Sequence, residues 1–298
     1  MNKIRIGSWL IAAVVLVLLV FMAGCGGLIV QSGSTAPTEG APLTVKVLDV
    51  GQGDAILIRT RQQVVLVDTG DVPARDKLVS LLKAQGISTI DKLIITHPHA
   101  DHIGGAAAVF QNFAVKQVYD SGQKTTTNLY KQYLIQINKR KIPFTVVAAG
   151  TTINLDDKVV LKVLAPAQPF IGGSEPDLNN NSVVTRLEFG NFSMLLTGDA
   201  ERKAEEKMLK QGAGTLKSTL LKSGHHGSRT SSSVPFLQAV RPEAVLISVG
   251  AGNEYQHPHR NIIKRYNENK IKVYRTDTDG TLTVTTDGNR YTITKERQ

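Results

Sequence analysis

Thr96-His97-Pro98-His99-Ala100-Asp101-His102-Ile103-Gly104-Gly105 decides how this chain is read. Three imidazoles and a carboxylate fall within six residues. The apolar run Leu93–Ile95 precedes them, and a Gly-Gly pair with an alanine-rich segment follows. This order predicts a buried strand, a tight loop and a helix start. Such a loop can aim several side chains into one small volume. Imidazole and carboxylate are both ligands for divalent transition metals.

Four further segments join it. Val67-Asp68-Thr69-Gly70 ends an earlier apolar run. Asp68 there can brace a metal loop from behind, although Asp-Thr-Gly is also ordinary turn chemistry. Leu195-Leu196-Thr197-Gly198-Asp199-Ala200 puts a carboxylate at the end of an apolar strand. Asp199 can bridge two ions there, or cap the helix that starts at Ala200. Lys222-Ser223-Gly224-His225-His226-Gly227-Ser228 presents paired histidines in a glycine-flanked loop. Tyr255-Gln256-His257-Pro258-His259 adds two more, which either reach the same site or lie on a surface turn.

The order D-x-G, H-x-H-x-D-H, T-G-D, G-H-H-G-S resembles that of the metallo-β-lactamase superfamily from about Leu43 onward. Leu48–Ala55, Asn180–Val183, Lys222–Thr230 and Ser248–His259 are similar to the hydrolase domain of ComEC-type competence (DNA-uptake) proteins. The resemblance implies an α/β fold, the αββα sandwich, with two mixed sheets face to face and helices outside. It implies one or two divalent ions, Zn²⁺ or Mn²⁺. His97 and His99 would serve the first, and Asp101, His102 and His225 the second. Asp199 would bridge them, with Asp68 behind. The superfamily's further first-site histidine is missing, since no histidine lies between His102 and His225. Asn179, Asn180 and Asn181 fall in that interval, and Asn181 is the best match. An amide oxygen is a harder ligand than imidazole and favours Mn²⁺ over Zn²⁺.

The implied chemistry is metal-assisted hydrolysis of a phosphodiester, with Asp101 among the catalytic groups. His226 or His257 would protonate the leaving oxygen. Lys222 or Arg229 would hold a phosphate oxygen. The same metals suit a small-molecule ester, thioester or lactam hydrolase, and the fold can also serve as a non-catalytic DNA-binding module.

The 298 residues are 41% apolar and 20% charged, a globular composition that excludes a disordered chain and a polytopic membrane protein. The formal charge of +10 favours anionic partners: DNA, another phosphodiester or an anionic membrane face. The single Cys25 excludes an intrachain disulfide and a cysteine zinc cluster. Lys3 and Arg5, the apolar run from Trp9 to Met22, and Ala23-Gly24-Cys25 form the three parts of an export signal over residues 1–24. Met22–Cys25 resembles a bacterial lipobox, with Cys25 lipidated. Residues 25–42 then make a flexible tether, and 43–298 the hydrolase domain. The alternative is an uncleaved anchor over the charge-free stretch Ile6–Val30. Either arrangement places the domain on the outer face of the bacterial cytoplasmic membrane, within reach of DNA-uptake machinery.

Periodicity predicts helices over Ala74–Gln85, Gly104–Phe110, Asn128–Lys139, Ala200–Gln211, Val234–Val240 and Asn261–Asn269. Lys139-Arg140-Lys141 reads as a solvated helix end. Strands are expected at Leu43–Val50, Ala55–Arg59, Gln63–Val67, Gln117–Tyr119, Val159–Leu164, Thr219–Lys222 and Ala244–Ser248. A hairpin joins Val183–Phe189 to Phe192–Leu196 about Gly190-Asn191. No Pro/Gly linker interrupts this alternation, so one α/β domain is expected.

Overall fold

Alternate side chains of Ile56–Thr60 and Val64–Val67 enter different cores. Ile56, Ile58, Val65 and Val67 face one core, and Leu57 and Leu66 the other. Strands covered on both faces read as unbroken apolar runs, which is what these segments show. The computed structural model describes residues 43–172 and 177–297. The expected export signal, Cys25 and tether lie outside the described residues. Among the described residues, no helix is long and apolar enough to cross a membrane.

Two sheets result. In the first, the strand order is Tyr291–Lys295, Leu282–Thr286, Leu43–Val47, Ile56–Thr60, Val64–Val67, Lys92–Ile94, Val118–Asp120 and Phe144–Val146. In the second it is Lys272–Arg275, Ala244–Ile247, Leu220–Lys222, Phe192–Leu196, Val184–Phe189, Val159–Ala165 and Thr152–Asp156. The central core lies between them, with Val45, Val47, Ile58 and Val67 meeting Leu161, Leu187, Met194 and Leu246. Outside the first sheet, helices Arg75–Ala84, Ala106–Asn112 and Asn128–Lys139 bury Leu78, Leu82, Val109, Phe110 and Tyr133 against Leu57, Leu66 and Leu93. Outside the second, helices Arg202–Gly212, Val234–Val240 and Arg260–Glu268 bury Met208, Phe236 and Ile262 against Leu195, Leu221 and Val245. Helix, sheet, sheet, helix is the expected layering.

Both sheets are mixed. Val64–Val67, Lys92–Ile94, Val118–Asp120 and Phe144–Val146 run parallel in the first. Phe192–Leu196, Leu220–Lys222, Ala244–Ile247 and Lys272–Arg275 run parallel in the second. Loops leaving the carboxyl ends of these strands carry Asp68, His97–His102, Asp199, His225–His226 and Ser248–His259. Open parallel strands bind ligands at that end.

Some boundaries differ from expectation. The first strand stops at Val47, and Leu48–Asp54 turns into the site as a loop. The expected helix over Gly104–Phe110 is two short ones, Ala100–Ile103 and Ala106–Asn112. Gly104 and Gly105 lie between them, and a Cβ on Gly105 would run into the Thr69 carbonyl oxygen. Phe144–Val146 and Thr152–Asp156 form strands that the sequence did not signal.

Candidate metal centre

Asp68 anchors the histidine loop. Its backbone takes a left-handed conformation, φ 59°, and its carboxylate is fully buried. Oδ1 accepts from the Thr96 amide at 2.7 Å, and Oδ2 accepts from the Thr96 hydroxyl at 2.7 Å. Oδ2 also lies 2.8 Å from His102 Nδ1, so that ring nitrogen carries the proton. Nε2 then points inward, 3.3 Å from Asp199 Oδ2 and 3.7 Å from Asp101 Oδ2.

The same logic orients three more rings. His226 Nδ1 donates to the Ser248 carbonyl at 2.9 Å, and Nε2 lies 3.1 Å from Asp101 Oδ2 and 3.5 Å from Asp199 Oδ1. His225 Nδ1 donates to Glu201 Oε1 at 2.8 Å, and Nε2 lies 3.7 Å from Asp199 Oδ2. The Thr96 hydroxyl is already spent on Asp68, so at 3.1 Å it accepts from His97 Nδ1. His97 Nε2 sits 3.8 Å from Asp199 Oδ2 and 2.9 Å from His99 Nδ1. Four imidazoles therefore hold their Nδ1 protons outward and aim Nε2 at one carboxylate, the arrangement that outer partners impose on metal-ligating histidines.

Asp199 divides the cluster. Its Oδ2 meets His97, His102 and His225, and its Oδ1 meets His226. One ligand atom each from Asp101, His102, Asp199 and His226 lie within 4.8 Å of one another. His102 Nε2 and Asp199 Oδ1 are buried without a hydrogen-bond partner among the described residues. Buried polar atoms rarely stay unpaired, and a divalent cation satisfies both the nitrogen and the carboxylate oxygen. The donor set thus fits one or two such ions. His97, His102, Asp199 and His226 form the buried floor, while His99, Asp101 and His225 are part-exposed and form the open side.

The charge balance agrees. Burial opposes the imidazolium at His226, but Asp199 and Asp54 outweigh it and push the ring up to about 10. At His102, Asp199, Asp101 and Asp68 likewise overcome burial and hold the ring well above the usual range. Burial, with His102 alongside, pushes His97 well below it. Burial would raise Asp199, yet His102 and His226 hold it well below the usual carboxylate range. Such a site keeps protons against desolvation and exchanges them for a divalent cation.

Several sequence expectations are revised. Asn181 does not face the cluster. Its Oδ1 accepts from the Ile171 amide at 2.8 Å, and its Nδ2 donates to the Ile171 and Asp177 carbonyls at 2.8 Å each. Both N–H groups of that amide and one acceptor position of its oxygen are spent on backbone. His225, expected beside Asp101 and His102, shares Asp199 Oδ2 with His102 and His97. His226, expected as an acid, takes the place beside Asp101 and is buried with both nitrogens engaged. Lys222 is fully buried, with Nζ 2.6 Å from Asp54 Oδ2, and cannot reach a substrate. Its approach is poorly directed for a hydrogen bond, so the contact is an ion pair. His257 packs its ring 5.4 Å from that of His225, and burial with its histidine neighbours pushes it down to about 4. It is therefore a neutral ring at neutral pH. His259 accepts from the Arg229 amide at 3.1 Å, which leaves it on the rim.

Sequence reading missed Glu201 and Asp54, which stand behind His225 and His226. Asp54 Oδ1 lies 3.4 Å from His226 Nδ1. Glu201 follows Asp199 by two residues, and Asp54 closes the Gly51–Gly53 turn, so local chemistry masked both roles.

The metallo-beta-lactamase superfamily profile matches residues 48–251. The chain is 31% identical over 256 residues to ComE operon protein 3 of Bacillus subtilis, covering 80% of this chain and 32% of that protein. It is 34% identical over 244 residues to competence protein ComA of Neisseria gonorrhoeae, covering 80% and 31%. The chain thus spans roughly a third of the length of these relatives. The metallo-beta-lactamase fold protein YhfI from Bacillus subtilis shares the fold at a TM-score of 0.54 and 13% identity, over 81% of this chain and 99% of that one. Topology, loop-borne cluster and these matches lead to one assignment: the chain belongs to the metallo-beta-lactamase superfamily of metal-dependent hydrolases, which bind one or two divalent ions.

Proposed function

We propose that this chain is a phosphodiesterase that cuts DNA, exported and tethered to the outer face of the bacterial cytoplasmic membrane. The observation that carries the reading is the division of Asp199. Its Oδ2 meets His97, His102 and His225, and its Oδ1 meets His226, which also lies 3.1 Å from Asp101 Oδ2. Each group would hold one cation, and a pair so placed suits a reaction that must steady both an attacking and a leaving oxygen. Bound ions supply Lewis acidity and lower the pKa of water; Zn²⁺ suits the imidazoles and Mn²⁺ the carboxylates.

The remaining work falls to the chain. Asp68, Glu201 and the Ser248 carbonyl accept the Nδ1 protons and fix three rings in place. Thr96 ties His97 and Asp68 together, so the first histidine loop moves as a unit. The exposed Arg229 stands at the rim, where a guanidinium can pair with a phosphate. The formal charge of +10 favours polyanionic partners. The similarity to proteins named for competence supports DNA as the substrate and DNA-uptake machinery as the setting. The signal over residues 1–24, Cys25 and the tether over 25–42 support export and lipid anchoring of a hydrolase domain at 43–298.

The test uses the full-length chain in detergent, stripped of metal and given Mn²⁺ or Zn²⁺. Linear DNA, supercoiled DNA and a chromogenic phosphodiester are the substrates. Cleavage that disappears in Asp101→Ala and in His226→Ala is the expected result. Failure to cut any of the three with either ion overturns the reading and directs attention to ester, thioester and lactam substrates.

A further inference from the structure

A line of rings leads out of the centre. His257 lies over His226 at 6.3 Å between ring centroids, with 25° between planes. Tyr255 lies over His257 at 5.7 Å and 26°. The rings thus run nearly parallel from the buried His226 to a tyrosine that is 56% exposed. A large aromatic ring left in water beside a polar site has given up burial that it would ordinarily seek.

The loop that carries Tyr255 is held firmly. Asn253 Nδ2 donates to the Gly250 and His257 carbonyls at 2.9 and 2.6 Å, and Asn253 Oδ1 accepts from the His257 amide at 2.9 Å. The His259 amide donates to the Gly227 carbonyl at 3.0 Å. Gly227 has φ 82°, and a Cβ there would meet Pro258 Cβ at 2.6 Å, so the two loops interlock. Tyr255 is therefore a pre-set surface rather than a side chain that must be ordered on binding.

We infer that Tyr255 is a stacking platform for an unpaired nucleobase, and that it makes the protein prefer single-stranded or frayed DNA. This rests on the phosphodiesterase reading above. Bases have a π-face whatever their identity, so a lone aromatic ring confers strand preference without sequence preference. A base inside a duplex is stacked on both sides and cannot use the platform. His257 covers the inner face of Tyr255, which leaves the outer face for the base, and Arg229 and Arg260 are exposed on the neighbouring segments for backbone phosphates.

The test uses the full-length chain and a single-stranded oligonucleotide containing 2-aminopurine, whose fluorescence falls on stacking. With chelator present, wild type and Tyr255→Phe should quench the probe and Tyr255→Ala should not. With Mn²⁺ present, Tyr255→Ala should raise KM for the oligonucleotide about tenfold or more, leave kcat within about twofold, and leave duplex cleavage unchanged. Tyr255→Phe should restore KM. If wild type cuts DNA while Tyr255→Ala keeps both its quenching and its KM, the platform is overturned and the phosphodiesterase reading stands. If wild type cuts no phosphodiester at all, both fall together.

Discussion

Lys222 offers the sharpest test, because sequence and structure give it opposite jobs. A phosphate-holding lysine must reach solvent, but this one is fully buried with Nζ 2.6 Å from Asp54 Oδ2. Lys222→Met keeps the volume and removes the charge, which leaves the buried Asp54 carboxylate without its lysine partner. Breaking one side of a buried ion pair costs about 3–5 kcal/mol. A domain of this size loses roughly 2–4 °C of Tm per kcal/mol, so the midpoint should fall by about 6–20 °C. Thermal unfolding of the full-length chain, followed by circular dichroism, reads this directly. Asp54→Asn combined with Lys222→Met removes both charges and should recover most of the loss, since replacing a buried pair outright is often neutral. A single variant that melts within about 2 °C of wild type and only raises KM would refute the structural role and restore the phosphate-binding one.

Three further outcomes are expected. Glu201→Gln should weaken cation binding by about tenfold or more in a chelator competition, because a charged partner of His225 Nδ1 is lost; unchanged affinity would detach Glu201 from the site. Asn181→Ala should cost about 1–3 kcal/mol in chemical denaturation while cation affinity holds; the reverse pattern would make Asn181 a ligand. Asp120 is pushed up to about 6, by burial first and against the Gly122 amide and the Tyr133 hydroxyl. The folded chain therefore binds this proton more tightly than the unfolded one, and stability falls as pH rises from about 4 through 6. Asp120→Asn should remove that dependence and gain up to about 3 kcal/mol at neutral pH; parallel pH–stability curves for the two proteins would contradict it.

The layers were legible because apolar period and turn residues agree along most of the chain. Phe144–Val146 was not, since its side chains are all exposed and an edge strand of three residues leaves no alternation to read. In the site, H-x-H-x-D-H and T-G-D carry their own spacing, and the fold brings His97, His102 and Asp199 together. The paired histidines of Gly224–Gly227 could be found but not apportioned: which ring meets which Asp199 oxygen depends on backbone dihedrals that composition does not reveal. Asn181 filled a gap in the ligand order by position alone, while its amide is claimed by Ile171 and Asp177 nearby in the chain. Lys222 looked reactive because it flanks a site motif, and only the long-range contact with Asp54 shows otherwise.

His225 and His226 both adopt left-handed backbone, with φ of 47° and 53°. For residues with a Cβ this costs about 1–2 kcal/mol each. The return is that consecutive rings splay to opposite oxygens of Asp199. Glycine at either position would relax the backbone while deleting a ring from the centre. The strain is therefore tied to what these two positions do, and a directed-evolution campaign on this protein needs an activity readout to keep the histidines.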